Sequence, residues 1–173
     1  MIVGVVLAAG AGRRMGGPKA LIGPLALPGV SPLERVCGWV HDAGCPRVVA
    51  VVGAEADAVR AALPARGCLT AVEESDWETG MGASLRAGLA AASGLGADAV
   101  LVTLVDLPDV RTPVYRRVLD AAGAAPDTLA RACYGGRPGI EQIQRRFHRF
   151  AHRAGFSGFD VGAVFPSALD DRA

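Results

Sequence analysis

The sequence predicts a single α/β domain, a three-layer α/β/α sandwich around a Rossmann-like, mostly parallel sheet. Three observations predict it. Short β-branched apolar runs, Ile2–Leu7, Arg47–Val52 and Ala99–Leu104, read as strands buried on both faces. Helical patterns alternate with them, the order that gives a doubly wound parallel sheet with right-handed crossovers. The first strand also runs into a glycine-rich, cationic loop, at the carboxyl edge where open α/β sheets bind their ligands. A chain of 173 residues can form one domain that buries roughly two-thirds of its unfolded surface.

The first strand, Ile2–Leu7, leads into Leu7-Ala8-Ala9-Gly10-Ala11-Gly12-Arg13-Arg14-Met15-Gly16-Gly17-Pro18-Lys19. Its glycines permit positive φ and close approach to an anion. Arg13, Arg14 and Lys19 add forked and compact donors suited to phosphate. Two known phosphate motifs fail. A P-loop needs a hydroxyl after Gly-Lys, whereas Gly17 is followed by Pro18-Lys19-Ala20. A dinucleotide fingerprint lacks its third glycine at Met15, and its acidic residue is missing where the second strand meets Gly53. Lys19 is the only lysine among 18 Lys and Arg residues. Its place in this loop suits a compact ammonium reaching between phosphate oxygens.

Segment 22–30 is a rim connector. Ser31-Pro32-Leu33-Glu34 is a capping box with proline at the first helical position, and Gly44 is the stop. Leu33, Val36, Cys37 and Val40 share the inward face, with His41 on the surface. The second strand is Arg47–Val52, followed by a helix over 54–63 with Val59 and Leu63 inward. A third strand spans 68–72. Glu73, Glu74 and Asp76 then form an exposed acidic loop, with metal binding as the competing reading. Gly80-Met81-Gly82 introduces a helix over 83–92, where Ser84 either caps the helix or faces the crevice. The strand Ala99–Leu104, apolar on both faces, is expected at the centre of the sheet. It delivers Asp106 to the same edge as the glycine loop, and Asp109 is a turn residue or an outer ligand. Thr112-Pro113 starts a helix with Val114, Val118 and Leu119 inward, and 128–134 is a fifth strand.

The loop resembles the Leu-Ala-Ala-Gly-x-Gly-x-Arg-Met-Gly-x-Pro-Lys signature of the nucleotidyltransferases that attach a nucleotide to molybdenum cofactor. Trp77-Glu78-Thr79-Gly80-Met81-Gly82-Ala83-Ser84-Leu85-Arg86-Ala87-Gly88-Leu89 resembles the family's nucleotide-contacting turn and helix. Val102-Thr103-Leu104-Val105-Asp106-Leu107-Pro108 resembles its metal-holding strand end, and Gly136-Arg137-Pro138-Gly139 its acceptor-side turn. The resemblance runs from Ile2 to about Gly139. It implies catalytic roles for Arg14, Lys19 and Asp106, nucleotide contacts at Leu7, Ala8, Ala9, Gly10, Gly12, Arg13, Gly82 and Ser84, and Mg²⁺ on Asp106. The forms Ala8-Ala9-Gly10 and Gly80-Met81-Gly82-Ala83-Ser84 resemble the cytidylyl branch more than the guanylyl one. CTP is therefore the expected donor, GTP the alternative, and molybdopterin the expected acceptor.

After Gly139 the family's His-Pro continuation and its acidic closing segment are absent. All five phenylalanines fall within 147–165. Residues 1–139 are therefore read as the nucleotidyltransferase domain and 140–173 as a divergent tail. That tail is either the product of a shifted reading frame or an amphipathic helix over 141–154. Asp160, Asp170 and Asp171 could replace a missing metal ligand only by accident.

A net charge of +1 without a basic patch argues against nucleic acid and membrane surfaces as partners. Four scattered cysteines suggest buried reduced thiols. With no basic leader and no apolar span of about 18 residues, a cytoplasmic location is expected. The expected reaction is in-line transfer of CMP to the phosphate of molybdopterin, releasing pyrophosphate. Two competing readings are transfer to a sugar phosphate and a non-catalytic nucleotide or cofactor binder that serves a molybdenum hydroxylase apoenzyme. A glycosyltransferase is disfavoured because Asp106-Leu107-Pro108 lacks a second aspartate.

Overall fold

The β-branched run Ile2–Leu7 forms β1, whose last five residues are buried. The structure is a computed structural model that describes residues 1–23 and 25–123, together with the backbone of 133–134, 137–138 and 160–161. β1 pairs in parallel with β2 (Arg47–Val52) on one side, from Val3↔Arg47 to Leu7↔Val51. On its other side lies β4 (Ala99–Leu104), paired from Ile2↔Ala99 to Leu7↔Leu104. β3 (Leu69–Glu73) extends the sheet beyond β2. β5 (Cys133–Tyr134) and β6 (Arg137–Pro138) form a separate antiparallel pair, while β7 (Asp160–Val161) pairs in parallel with β4. The main sheet order is β3-β2-β1-β4-β7. β1 is the middle strand, and β4 is an interior strand flanked by β1 and β7, as its apolar composition predicts.

Helix α1 (Pro32–Ala43) starts as its capping residues predict, with Ser31 Oγ accepting from the Glu34 N–H at 3.1 Å. It ends at Gly44, where φ is +125° and the N–H donates to the His41 carbonyl. Leu33, Val36, Cys37 and Val40 are all buried against the sheet. α2 (Ala56–Ala61) adds Val59 to the same cluster, and α4 (Thr112–Ala122) adds Tyr115 and Val118. α3 (Met81–Gly94) covers the opposite face through Leu85, Leu89 and Ala92. Two glycines let the helices approach closely. A Cβ on Gly4 would lie 2.2 Å from Val40 Cγ1, and one on Gly88 would lie 2.5 Å from Val5 Cγ1. The three-layer architecture therefore matches the sequence reading.

Several boundaries differ for physical reasons. α2 starts at Ala56 because Ala54 N–H is taken by the Ala9 carbonyl and Glu55 adopts φ +52°. α3 starts at Met81 because Gly80, at φ +116°, already occupies the cap. On α4 the fully buried residues are Tyr115 and Val118, not Val114. The Tyr115 hydroxyl lies 3.0 Å from Thr103 Oγ1 inside the core, a buried polar pair that the apolar pattern of β4 concealed. Of the expected strand over 128–134, only Cys133–Tyr134 is among the described residues. The readings of 140–173 as a shifted frame or a helix lie outside them.

Cys37 and Cys45 are buried thiols as expected, whereas Cys68 is half-buried. Burial pushes both buried thiols from 9.0 up to about 12. No helix among the described residues is long and apolar enough to cross a membrane.

Candidate functional site

Three strands end at one edge, and their backbone holds the start of the glycine loop. Ala8 N–H donates to Val51 at 2.9 Å, the Leu7 carbonyl accepts from Val105 at 3.2 Å, and the Ala9 carbonyl accepts from Ala54 at 3.0 Å. The side chains of Leu7, Ala8 and Ala9 are buried. Any contact they make with a ligand must therefore come through the backbone groups that these bonds leave over.

Beyond Ala9 the loop turns on itself. Gly12 has φ +58°, and its carbonyl accepts from Met15 at 2.7 Å and from Gly17 at 3.4 Å. A Cβ here would sit 1.9 Å from the Gly17 carbonyl oxygen, so only glycine fits. Gly10, by contrast, has open space where its Cβ would be.

The cations of the loop are placed differently. Lys19 Nζ pairs with Asp106, 87 residues away, with side chains 39% and 34% exposed. Arg13 reaches Glu78 across the crevice at 3.1 Å. Arg14 is exposed and has no partner among the described residues. Parallel strands β1 and β4 end side by side, and the closure of the loop at Gly12–Gly17 returns the chain so that Lys19 meets Asp106.

The second motif forms the other wall. Trp77–Thr79 is a single 3-10 turn that leads through Gly80 into α3. Gly82 and Ser84 are buried in the first turns of this helix. Ser84 is the fourth helical residue, so the capping role is excluded. Sequence reasoning missed two features here, Glu78 as partner of Arg13 and Gly53 at the end of β2. The signal for Gly53 was available, since a glycine at a buried strand end marks close approach.

The acidic cluster serves the scaffold. Glu73 pairs with Arg60 at 2.7 Å, and Glu74 Oε1 accepts the Asp76 N–H at 2.8 Å. Among the described residues no group of three His, Cys, Asp or Glu side chains could hold a metal ion. Asp106 offers one partly exposed carboxylate beside a cation. That donor set fits a hard divalent ion that takes its remaining ligands from phosphates and water, and does not fit a self-contained metal cage. Asp109 is exposed on the same loop.

The sequence pattern of the MobA-like NTP transferase domain matches residues 4–154. The chain belongs to this family. The match continues past Gly139, where the motif-by-motif resemblance stopped.

Two curated relatives are each 37% identical to this MobA-like chain. One, from Paenarthrobacter nicotinovorans, is named nicotine blue oxidoreductase; the alignment takes in 89% of the chain and 72% of that protein. The other, from Rhodobacter capsulatus, is named molybdenum cofactor guanylyltransferase; it is matched over 77% of the chain and 65% of its own length. Among solved structures, a nucleotidyl transferase from Methanothermobacter superposes with a TM-score of 0.64 at 26% identity, covering 96% of this chain and 88% of that one. A Mycobacterium tuberculosis protein in complex with manganese superposes with a TM-score of 0.59 at 27% identity, covering 94% and 88%. The chain is a nucleotidyltransferase domain of the MobA-like type.

Proposed function

We propose that this domain transfers a nucleoside monophosphate, CMP from CTP, to the phosphate of molybdopterin and releases pyrophosphate. The observation that carries the reading is the meeting of Lys19 and Asp106 on the rim of the crevice that the glycine loop opens. A phosphate-binding cation and a metal-holding carboxylate thereby share one edge. The acceptor oxygen is already an anion, so no general base is needed. This fits a site whose polar groups are cations, glycines and a carboxylate. Catalysis then consists of positioning and charge stabilisation.

In this reading Arg14 and Lys19 neutralise the triphosphate and the developing pyrophosphate. Backbone around Gly10 and Gly12 lies against the phosphates, while Gly82 and Ser84 face the base side. Asp106 would hold Mg²⁺, which when bound neutralises charge on phosphate oxygens. Asp106 would then exchange its contact with Lys19 for one with the ion.

The donor is assigned to CTP on the forms Ala8-Ala9-Gly10 and Gly82-Ala83-Ser84. The name of the Rhodobacter relative makes GTP the competing donor. Calorimetric titration of CTP and GTP, with and without Mg²⁺, tests both, with an Asp106→Ala variant as control. Magnesium-dependent binding of one nucleotide that Asp106→Ala weakens supports the reading, and absence of binding of either overturns it. Product analysis with molybdopterin and with sugar phosphates then identifies the acceptor.

The name of the Paenarthrobacter relative supports a second reading, a redox activity on nicotine blue. Oxidation of NADH or NADPH by the chain in the presence of nicotine blue, under conditions where no pyrophosphate forms from CTP or GTP, would favour it. A delivery role toward a molybdenum hydroxylase apoenzyme predicts co-purification with such a subunit.

A further inference from the structure

The turn Trp77–Thr79 leads through Gly80 into α3 and lies beside the end of β2. Trp77 is half-buried. Its root sits directly over the bare backbone of Gly53, where a Cβ would lie 2.7 Å from Trp77 Cγ, 2.8 Å from Trp77 Cβ and 2.8 Å from Ala9 Cβ. The indole root, the end of β2 and the second alanine of the glycine loop therefore converge on one point that only a glycine leaves free. The turn is fixed in two further ways. Thr79 Oγ1 donates to the Asp76 carbonyl at 2.7 Å, and Gly80 N–H donates to the Trp77 carbonyl at 3.1 Å. The next residue, Glu78, reaches back to Arg13.

We propose that Trp77, seated on Gly53, is a positioning residue that sets the distance between the start of the glycine loop at Ala9 and the entry of α3, and so sets the width of the nucleoside side of the crevice. This rests on the nucleotide reading above and assigns the turn a part in it. Trp77 sits against Gly53, whose other neighbour is Ala9, and its carbonyl holds the Gly80 N–H at the entry of α3, while none of these contacts is made with Lys19 or Asp106. Its loss should therefore weaken binding of a nucleoside and leave binding of phosphates alone unchanged. A misplacement of about 1 Å at such a wall has a large effect because the ligand is held in one orientation.

The test uses the full chain with Trp39→Phe, so that Trp77 is the only tryptophan. CTP, GTP and inorganic tripolyphosphate are titrated by calorimetry into this protein and into versions carrying Trp77→Ala or Gly53→Ala. The expected result in the parent is also an emission change of Trp77 with the preferred nucleotide. Trp77→Ala, which removes Cγ and the ring, should raise the nucleotide Kd on the order of tenfold, with the tripolyphosphate Kd within about twofold. Trp77→Phe keeps Cβ, Cγ and a flat ring over Gly53 and should restore nucleotide binding, which a general loss of fold would not allow. Equal weakening of nucleotide and tripolyphosphate overturns the proposal, as does unchanged nucleotide binding in both Trp77→Ala and Gly53→Ala. If the parent chain binds tripolyphosphate but neither nucleotide, the nucleotide reading itself fails.

Discussion

Replacing Gly12 by alanine separates the glycine loop from the fold that carries it. Two costs arise at this position. At φ +58° an L-residue is strained by about 1–2 kcal/mol. The new Cβ would also lie 1.9 Å from the Gly17 carbonyl oxygen, a backbone atom that cannot rotate away. Relieving that overlap requires the Gly12–Gly17 closure to open by about 1 Å, the scale of misplacement that can cost on the order of 10²-fold in rate. Residues 9–19 of the loop lie outside the two buried clusters, so the global effect stays near the strain term. For a chain of this length that is a fall in Tm of about 2–8 °C. The assay is phosphatase-coupled pyrophosphate release, with thermal unfolding on the same preparations. Gly10→Ala is the control, because its Cβ enters open space and its φ is not positive. It should leave Tm unchanged while lowering activity wherever a ligand uses that space. Activity of Gly12→Ala within about twofold of the parent would refute the view that this closure shapes the site.

Three further expectations follow from the geometry. Lys19→Ala should lose about 2–4 kcal/mol of transition-state stabilisation, while its half-exposed pair with Asp106 contributes only about 0–1 kcal/mol to folding; a matching collapse in Tm would show a structural lysine instead. Gly4→Ala forces a methyl onto Val40 Cγ1 and should destabilise the fold by about 1–3 kcal/mol, read as a lower urea midpoint with unchanged nucleotide affinity at saturating folding. The thiols of Cys37 and Cys45, pushed from 9.0 up to about 12, favour the folded state in their neutral form. Their contribution is complete below pH 9 and is lost as pH rises toward 12. The urea midpoint should therefore drop between pH 8 and pH 10.5, and a Cys37→Ala/Cys45→Ala protein should drop less.

Much of this was legible in the chain because burial on both faces and helix caps leave local marks. β1, β2 and β4 were readable to the residue, as was the Ser31 cap, since each is decided by neighbours in sequence. The placement of the glycine loop and Asp106 at one edge followed from parallel strands ending there. What stayed hidden depends on contacts between distant segments. Nothing local in Ala54-Glu55 says that the helix must wait until Ala56, because the cause is the carbonyl of Ala9. Tyr115 was passed over in favour of Val114 because its hydroxyl finds Thr103 inside the core, which a polarity pattern cannot foresee. Nothing local marks Glu78 as the partner of Arg13, because the two lie 65 residues apart.

The ion pair of Lys19 with Asp106 also bears on what the crevice accepts. At rest its cation and its carboxylate neutralise one another, so a bare anion must take Lys19 from Asp106 and leave a carboxylate facing it. A bare cation meets the reverse problem. A ligand that arrives with its own countercharge trades partners with both at once and strands neither. Under the proposed function the resting site would thus discriminate by pairing rather than by sign, and a metal-bound nucleotide is expected to bind better than either of its halves.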